Sequence, residues 1–386
     1  MSKENKKNPL IKFITFFVLF SFLFPRGYLE YNQTYKTIYT YLVWAATFLI
    51  WFQFIVFDFK FKISKKSLIL SLYFIFSIII TLSIRGIKID GLQKLFAYPS
   101  ICLFTINNFK KNPQLFLNTI INIFILNLLG NQIILRSFFS EQFHITYLGH
   151  VQMIAQYCIL ALFCALVDNI IYNTHKKKNI FLIVLALITL VTTDASTSTI
   201  TLIILCIFLL LYKMRLFRLF KHSSPIYFNI IQIITIAIIY MSMNYYHTMP
   251  ALAISGRCFV WKDAIKKFLL KPIYGYGIEG VMIDTFWNAW TNPEGFNYAH
   301  NQIVQNLLDG GIIIAILYYI MFISFIKNIK NVQNDKIKII INIAIILYSL
   351  IMIVESTSLY CYIYIFLGMI YSLSNSNIIS NKIIKE

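Results

Sequence analysis

Apolar residues fall in long runs separated by short clusters of Lys, Asn and Pro, and the runs have the length of a membrane crossing. A helix needs roughly 20 such residues to cross the hydrocarbon layer. Runs of that kind lie near residues 10–25, 37–57, 67–84, 92–107, 115–134, 150–172, 180–195, 197–213, 226–246, 301–327, 337–353 and 359–375. The pattern predicts an all-α polytopic membrane protein of about twelve transmembrane helices. The first run follows a basic start, as a signal peptide does. Pro25, Arg26 and Gly27 stand after it where a small-x-small cleavage site would be, so it is read as a retained span.

Composition agrees with a chain that lives in a bilayer: 59% of the 386 residues are apolar, 13% are charged, and mean hydropathy is +0.71. Net charge is +19, which in a soluble protein would suggest a nucleic-acid partner. Here topology accounts for most of it. With the N-terminus inside, 23 of the 34 Lys and Arg fall in cytoplasmic segments and 11 face out. No nucleic-acid partner is expected. The six cysteines are scattered and form no ligand cluster, so neither a disulfide framework nor a metal site is expected. No internal repeat is evident, so a transporter built from repeated halves gains no support.

Most connections are short. The exception divides the chain into residues 1–246 with nine spans, an outer loop at 247–300, and residues 301–386 with the last three spans. Long loops between close-packed elements are usually functional. Five of the eleven outward cations collect in this one: Arg257, Lys262, Lys266, Lys267 and Lys271. From Ser255 to Leu270 it reads as an amphipathic helix stopped by Pro272, with Arg257, Trp261, Ala264, Ile265 and Phe268 at helical spacing. That helix is expected to lie flat in the interface, with Trp261 at headgroup depth and the lysines snorkelling. Arg257, at its start, joins a guanidinium to backbone N–H groups that together suit an anionic phosphate. Gly275 and Gly277 follow in Tyr-Gly-Tyr-Gly and shape a turn; without a preceding strand they do not make a nucleotide cradle. His300 and Asn301 begin the tenth span, where the helix dipole favours a neutral imidazole able to accept a proton. Spacing alone equally allows a histidine that only caps a helix.

The order Ser255-Gly256-Arg257, Trp261, Pro272-Ile-x-Gly275-x-Gly277, His300-Asn301 and Gly310-Gly311-Ile312 resembles the outer loop of the O-antigen ligase and O-antigen or capsular polysaccharide polymerase superfamily. The motif match spans about 60 residues, and the topology fits more loosely. The resemblance implies a membrane glycosyltransferase of the bacterial cytoplasmic (inner) membrane that needs neither metal nor cofactor. Both termini would be cytoplasmic and the active site would face out. Its donor would be an oligosaccharide on undecaprenyl diphosphate, and membrane lipid and a chain-length regulator protein would be partners. Arg257 would bind the diphosphate and His300 would deprotonate the acceptor hydroxyl, both as catalytic residues. Trp261, Asn301, Gln305, Gly275 and Gly277 are the further substrate-side candidates.

One departure stands out. Family members often carry a second arginine at the tight outer turn between the seventh and eighth spans, and Thr193-Asp-Ala-Ser-Thr-Ser-Thr199 has none. Arg136, Arg85, Lys94 or another outer cation would then supply the second charge, unless one guanidinium suffices. The departure favours a polymerase, which extends a lipid-linked repeat unit, over a ligase, which transfers the glycan to lipid A core. A transporter or flippase of lipid-linked sugars is the third reading. It is disfavoured because Asp168, Asp194 and Glu355 lie near span ends and no carboxylate sits mid-span.

Overall fold

The computed structural model describes residues 9–57, 65–86, 89–134, 145–214, 224–244, 257–283 and 298–375. Thirteen α-helices appear among them. The first nine are α1 (Pro9–Phe22), α2 (Gln33–Phe57), α3 (Lys65–Arg85), α4 (Ile89–Lys111), α5 (Pro113–Ile134), α6 (Val151–Ile171), α7 (Lys176–Thr192), α8 (Ser196–Lys213) and α9 (Ser224–Asn244). After α10 (Arg257–Leu270) come α11 (Gln302–Ile326), α12 (Asp335–Val354) and α13 (Cys361–Asn375). Every expected span meets one of these helices, and α10 is the helix of the outer loop. Among the described residues, seven helices are long and apolar enough to cross a membrane. A backbone in hydrocarbon must bond to itself, which is why apolar runs become helices here and not open strands. The chain is an all-α polytopic membrane protein.

Helix ends follow local chemistry. Pro113 opens α5 at the position where a missing N–H costs nothing. Asn334 caps α12 by accepting from the N–H groups of Lys336 and Ile337. Helix α6 is the central post: most of its residues are buried, and it packs against α5, α7, α8, α12 and α13. Large apolar side chains exposed on α2, α3, α8 and α9, such as Phe52, Ile79, Leu209 and Ile233, form the outward surface. Some polar groups within the helices are paired across interfaces. Trp51 Nε1 donates to Ser100 Oγ at 3.0 Å, and Gln53 Nε2 to Asn108 Oδ1 at 3.1 Å, tying α2 to α4.

Two features depart from the expected map. A two-stranded hairpin, β1 (Ile145–Thr146) and β2 (Gly149–His150), sits before α6, where no strand was expected. It docks on the connection after α1: Arg26 N and Gly27 N donate to the carbonyls of Leu148 and Tyr147 at 3.0 Å each. A side chain at position 27 would strike Thr146 O, so glycine is required there. The second departure corrects the reading of Trp261. The indole does not face lipid headgroups. It is wholly buried in protein, with Nε1 donating to Ala299 O at 3.0 Å. The face of α10 carrying Arg257, Trp261 and Ala264 packs on α9 and α11, because an apolar stripe pairs with protein as readily as with lipid.

Candidate active site

Helix α11 starts at Asn301, whose Oδ1 accepts from the N–H groups of Ile303 and Val304 at 2.9 and 3.1 Å. Asn301, not His300, therefore provides the cap. His300, one residue earlier, has φ of +49°, a left-handed conformation that a non-glycine residue adopts at a cost. Its ring lies 4.0 Å, centroid to centroid, from that of Tyr298.

The end of α12 gathers the loop. Three consecutive residues there each hold a different partner: Ile353 O accepts from Asn301 Nδ2 at 2.8 Å, Val354 O accepts from Arg257 Nε at 3.0 Å, and Glu355 Oε2 lies 3.4 Å from His300 Nδ1. The last carbonyls of a helix have no intrahelical partner, so they are natural acceptors for an amide and a guanidinium. Arg257 and His300, 43 residues apart in sequence, are thus fixed on one frame. The following residues lock that frame. Gln302 Oε1 accepts from Ser358 N and Thr357 Oγ1, and Gln305 Oε1 accepts from Ala299 N at 2.8 Å.

Arg257 is 6% exposed, and among the described residues it makes no ion pair. Burial draws its pKa below the ordinary value, while the Glu355 charge and Tyr298 oppose that. A buried guanidinium with Nε already committed is a group whose desolvation a bound anion would compensate. Glu355 is fully buried. Burial pushes its carboxyl up, but the hydrogen bond and charge of His300, the N–H of Ser356 and the charge of His150 outweigh this and hold it below its ordinary value. Reading of the sequence missed Glu355 as part of the site. Its one signal was a carboxylate in a sparsely charged chain at the outer end of a span.

The turn through Gly275 is built into a break in α11. At Gly310 and Gly311 the helix loses its regular dihedral angles, with φ of +62° at Gly311. Ile312 N, which would serve Leu308 O in an unbroken helix, donates instead to Pro272 O at 2.9 Å, and Leu308 O accepts from Tyr276 N at 2.8 Å. Gly275, with φ of +58°, has room for nothing larger: a Cβ there would lie 2.3 Å from Leu308 O. Gly277 faces Thr81 and Arg85. The two glycines therefore face protein backbone and side chains.

The candidate second cations are distributed as follows. Arg136 lies outside the described residues. Arg85 donates to Ile278 O, and Lys94 pairs with Glu279, so both hold the loop. The turn between α7 and α8 places Thr197 Oγ1 on Gln152 of α6. Arg26, which follows the first span, lies over the rings of Tyr39 and Tyr360 at 5.4 and 5.9 Å, and its buried Nε has no hydrogen-bond partner. Tyr360 closes the short connection that begins at Glu355.

Residues 181–319 match the O-antigen ligase family model. That stretch is 139 of 386 residues and runs from α7 into α11, so it contains Arg257, Trp261, both loop glycines, His300, Asn301 and Gln305. The resemblance to the O-antigen ligase and polymerase superfamily is borne out by this match. Members of the O-antigen ligase family are membrane glycosyltransferase-like enzymes acting on polyprenyl-linked glycans. No curated protein matches the chain.

Proposed function

We propose that this protein is a polysaccharide polymerase of the bacterial cytoplasmic (inner) membrane. It transfers a growing glycan from undecaprenyl diphosphate to a hydroxyl of the next lipid-linked repeat unit, at the outer face. The observation that carries the proposal is the joint anchoring of Arg257 and His300 at the end of α12. In this mechanism His300 takes the proton of the acceptor hydroxyl as its oxygen attacks the anomeric carbon. The bond to the diphosphate breaks, and its electron pair leaves with the phosphate. The leaving group gains negative charge as that bond breaks, so a fixed Arg257 stabilises the transition state more than the ground state. Arg26 supplies the second positive charge, since the Thr193–Thr199 turn has no arginine. Trp261 and Asn301 support the site from within the protein, Gly275 and Gly277 set the loop's path, and Gln305 holds the backbone just before His300.

The ligase is the second reading, because its donor chemistry is the same. Purified protein given undecaprenyl-diphosphate-linked repeat unit alone separates them. Chain growth on that substrate is the expected result, and growth only after addition of lipid A core would establish the ligase instead. For a transporter the carboxylates offer little support: Asp168 lies in the last turn of α6 bonded to Asn179 at 2.6 Å, Glu355 lies beyond α12, and Asp309, inside α11, is held by Gln305 Nε2 at 2.9 Å and Glu279 N at 3.2 Å.

A further inference from the structure

We infer that Glu355 is the positioning residue of this site: its carboxylate holds the imidazole of His300 through Nδ1 and leaves Nε2 as the nitrogen that takes the acceptor's proton. The inference rests on the role proposed above for His300. The carboxylate is itself immobilised, since Oε1 accepts from Ser356 N at 3.0 Å and the side chain is fully buried, so Oε2 is the oxygen turned to the ring. An ionised carboxylate only accepts. A neutral imidazole facing it therefore carries its hydrogen on Nδ1, and Nε2 is left with the lone pair. The strained backbone at His300 has the same purpose, aiming the ring back toward the end of α12 while Tyr298 closes its side.

The groups that face Glu355 come from every packed element. His300 and Tyr298 precede α11, Arg257 comes from α10, His150 caps α6, and Tyr360 precedes α13. When the acceptor O–H proton passes to Nε2, the ring holds two N–H groups and one positive charge. Glu355 keeps its own charge and bonds Nδ1–H more strongly. It takes no proton, and the new cation is paired where water is scarce.

Glu355→Gln in the full chain, reconstituted in lipid nanodiscs, tests this with undecaprenyl-diphosphate-linked oligosaccharide extracted from the producing cells. We expect kcat to fall by about 10²-fold with KM for the donor little changed. Removing the negative charge disfavours the imidazolium, so the acidic limb of the rate profile moves to lower pH by about one unit. A second readout does not need activity. In protein labelled with ¹⁵N at imidazole, the resonance that vanishes in His300→Ala belongs to His300, and its titration midpoint shifts the same way in Glu355→Gln. Unchanged kcat together with an unmoved midpoint overturns the inference. Should Glu355→Gln fail to fold, Glu355→Asp keeps the charge but retracts the oxygens. It is expected to lose kcat while the acidic limb stays in place, and wild-type kcat there overturns the inference too. If His300→Ala retained full polymer synthesis, the base assignment itself would fail, whatever the resonance did.

Discussion

Arg257 donates through Nε to Val354 O, and in the proposed function its remaining nitrogens bind the diphosphate, a division of labour that lysine cannot reproduce. Arg257→Ala and His300→Ala are each expected to cut polymer formation by at least about 10²-fold while the protein still inserts, as read by gel analysis of product and by yield from membranes. Arg257→Lys should recover little of it. Arg26→Ala should raise KM for the donor more than it lowers kcat, because that guanidinium is held by rings and not by the catalytic frame. His300 and Arg257 were legible in the sequence through their ordered motif. Glu355 was not, because its partner is 55 residues away and only the packing of α12 against the loop brings them together. Trp261 was misplaced for a related reason: helical spacing shows that a face is apolar but not what covers it.

The break in α11 and the turn through Gly275 form one unit, since each supplies the hydrogen bond that the other lacks. Gly86 provides the comparison. It also has positive φ, at +67°, but a Cβ there would meet nothing within 4 Å. Gly86→Ala should therefore cost about 1 kcal/mol from backbone strain alone. Gly275→Ala adds a collision with the α11 backbone and should cost about 2–5 kcal/mol. Thermal unfolding of the two variants in the same detergent measures the difference. The end of α3 and the start of α4 clamp the same turn through Arg85 and Lys94. Burial pushes the Glu279 carboxyl up, but Lys94 first, then Arg85 and Lys36, hold it below the ordinary value. A depressed carboxylate pKa gives stability that is complete above the unfolded value and lost as pH falls through the folded one. Hydrogen exchange of residues 271–283 should thus be flat from pH 7 to about pH 5 after correction for intrinsic rates, and rise below about pH 4. The helices themselves were easy to read, as apolar runs of that length have few other uses. The hairpin at 145–150 was not, since two-residue strands leave no periodicity to detect.

At the scale of the whole molecule, the cations both orient the chain and furnish its chemistry. The excess of Lys and Arg on alternate loops predicts the direction of insertion, and in the proposed function a minority on the other side acts on substrate. A cysteine placed at Lys271 should react with a membrane-impermeant maleimide in intact cells, whereas one placed at Lys177 should react only after permeabilisation. The reverse result would invert the map and put Arg257 on the wrong side for a flipped donor. The three consecutive contacts at the end of α12 carry a last consequence. Each residue of a helix is turned about 100° and raised about 1.5 Å from the one before, so Ile353 and Val354 address different neighbours by phase, and Glu355, extended just past the helix end, is aimed at a third by where that helix stops. Inserting one alanine just before Ile353 would leave the apolar span and the charges intact. It would nevertheless turn all three contacts away from their partners at once. That variant should reach the membrane at normal yield and make no polymer, because the site's register is written in the length of a helix that itself contributes no catalytic group.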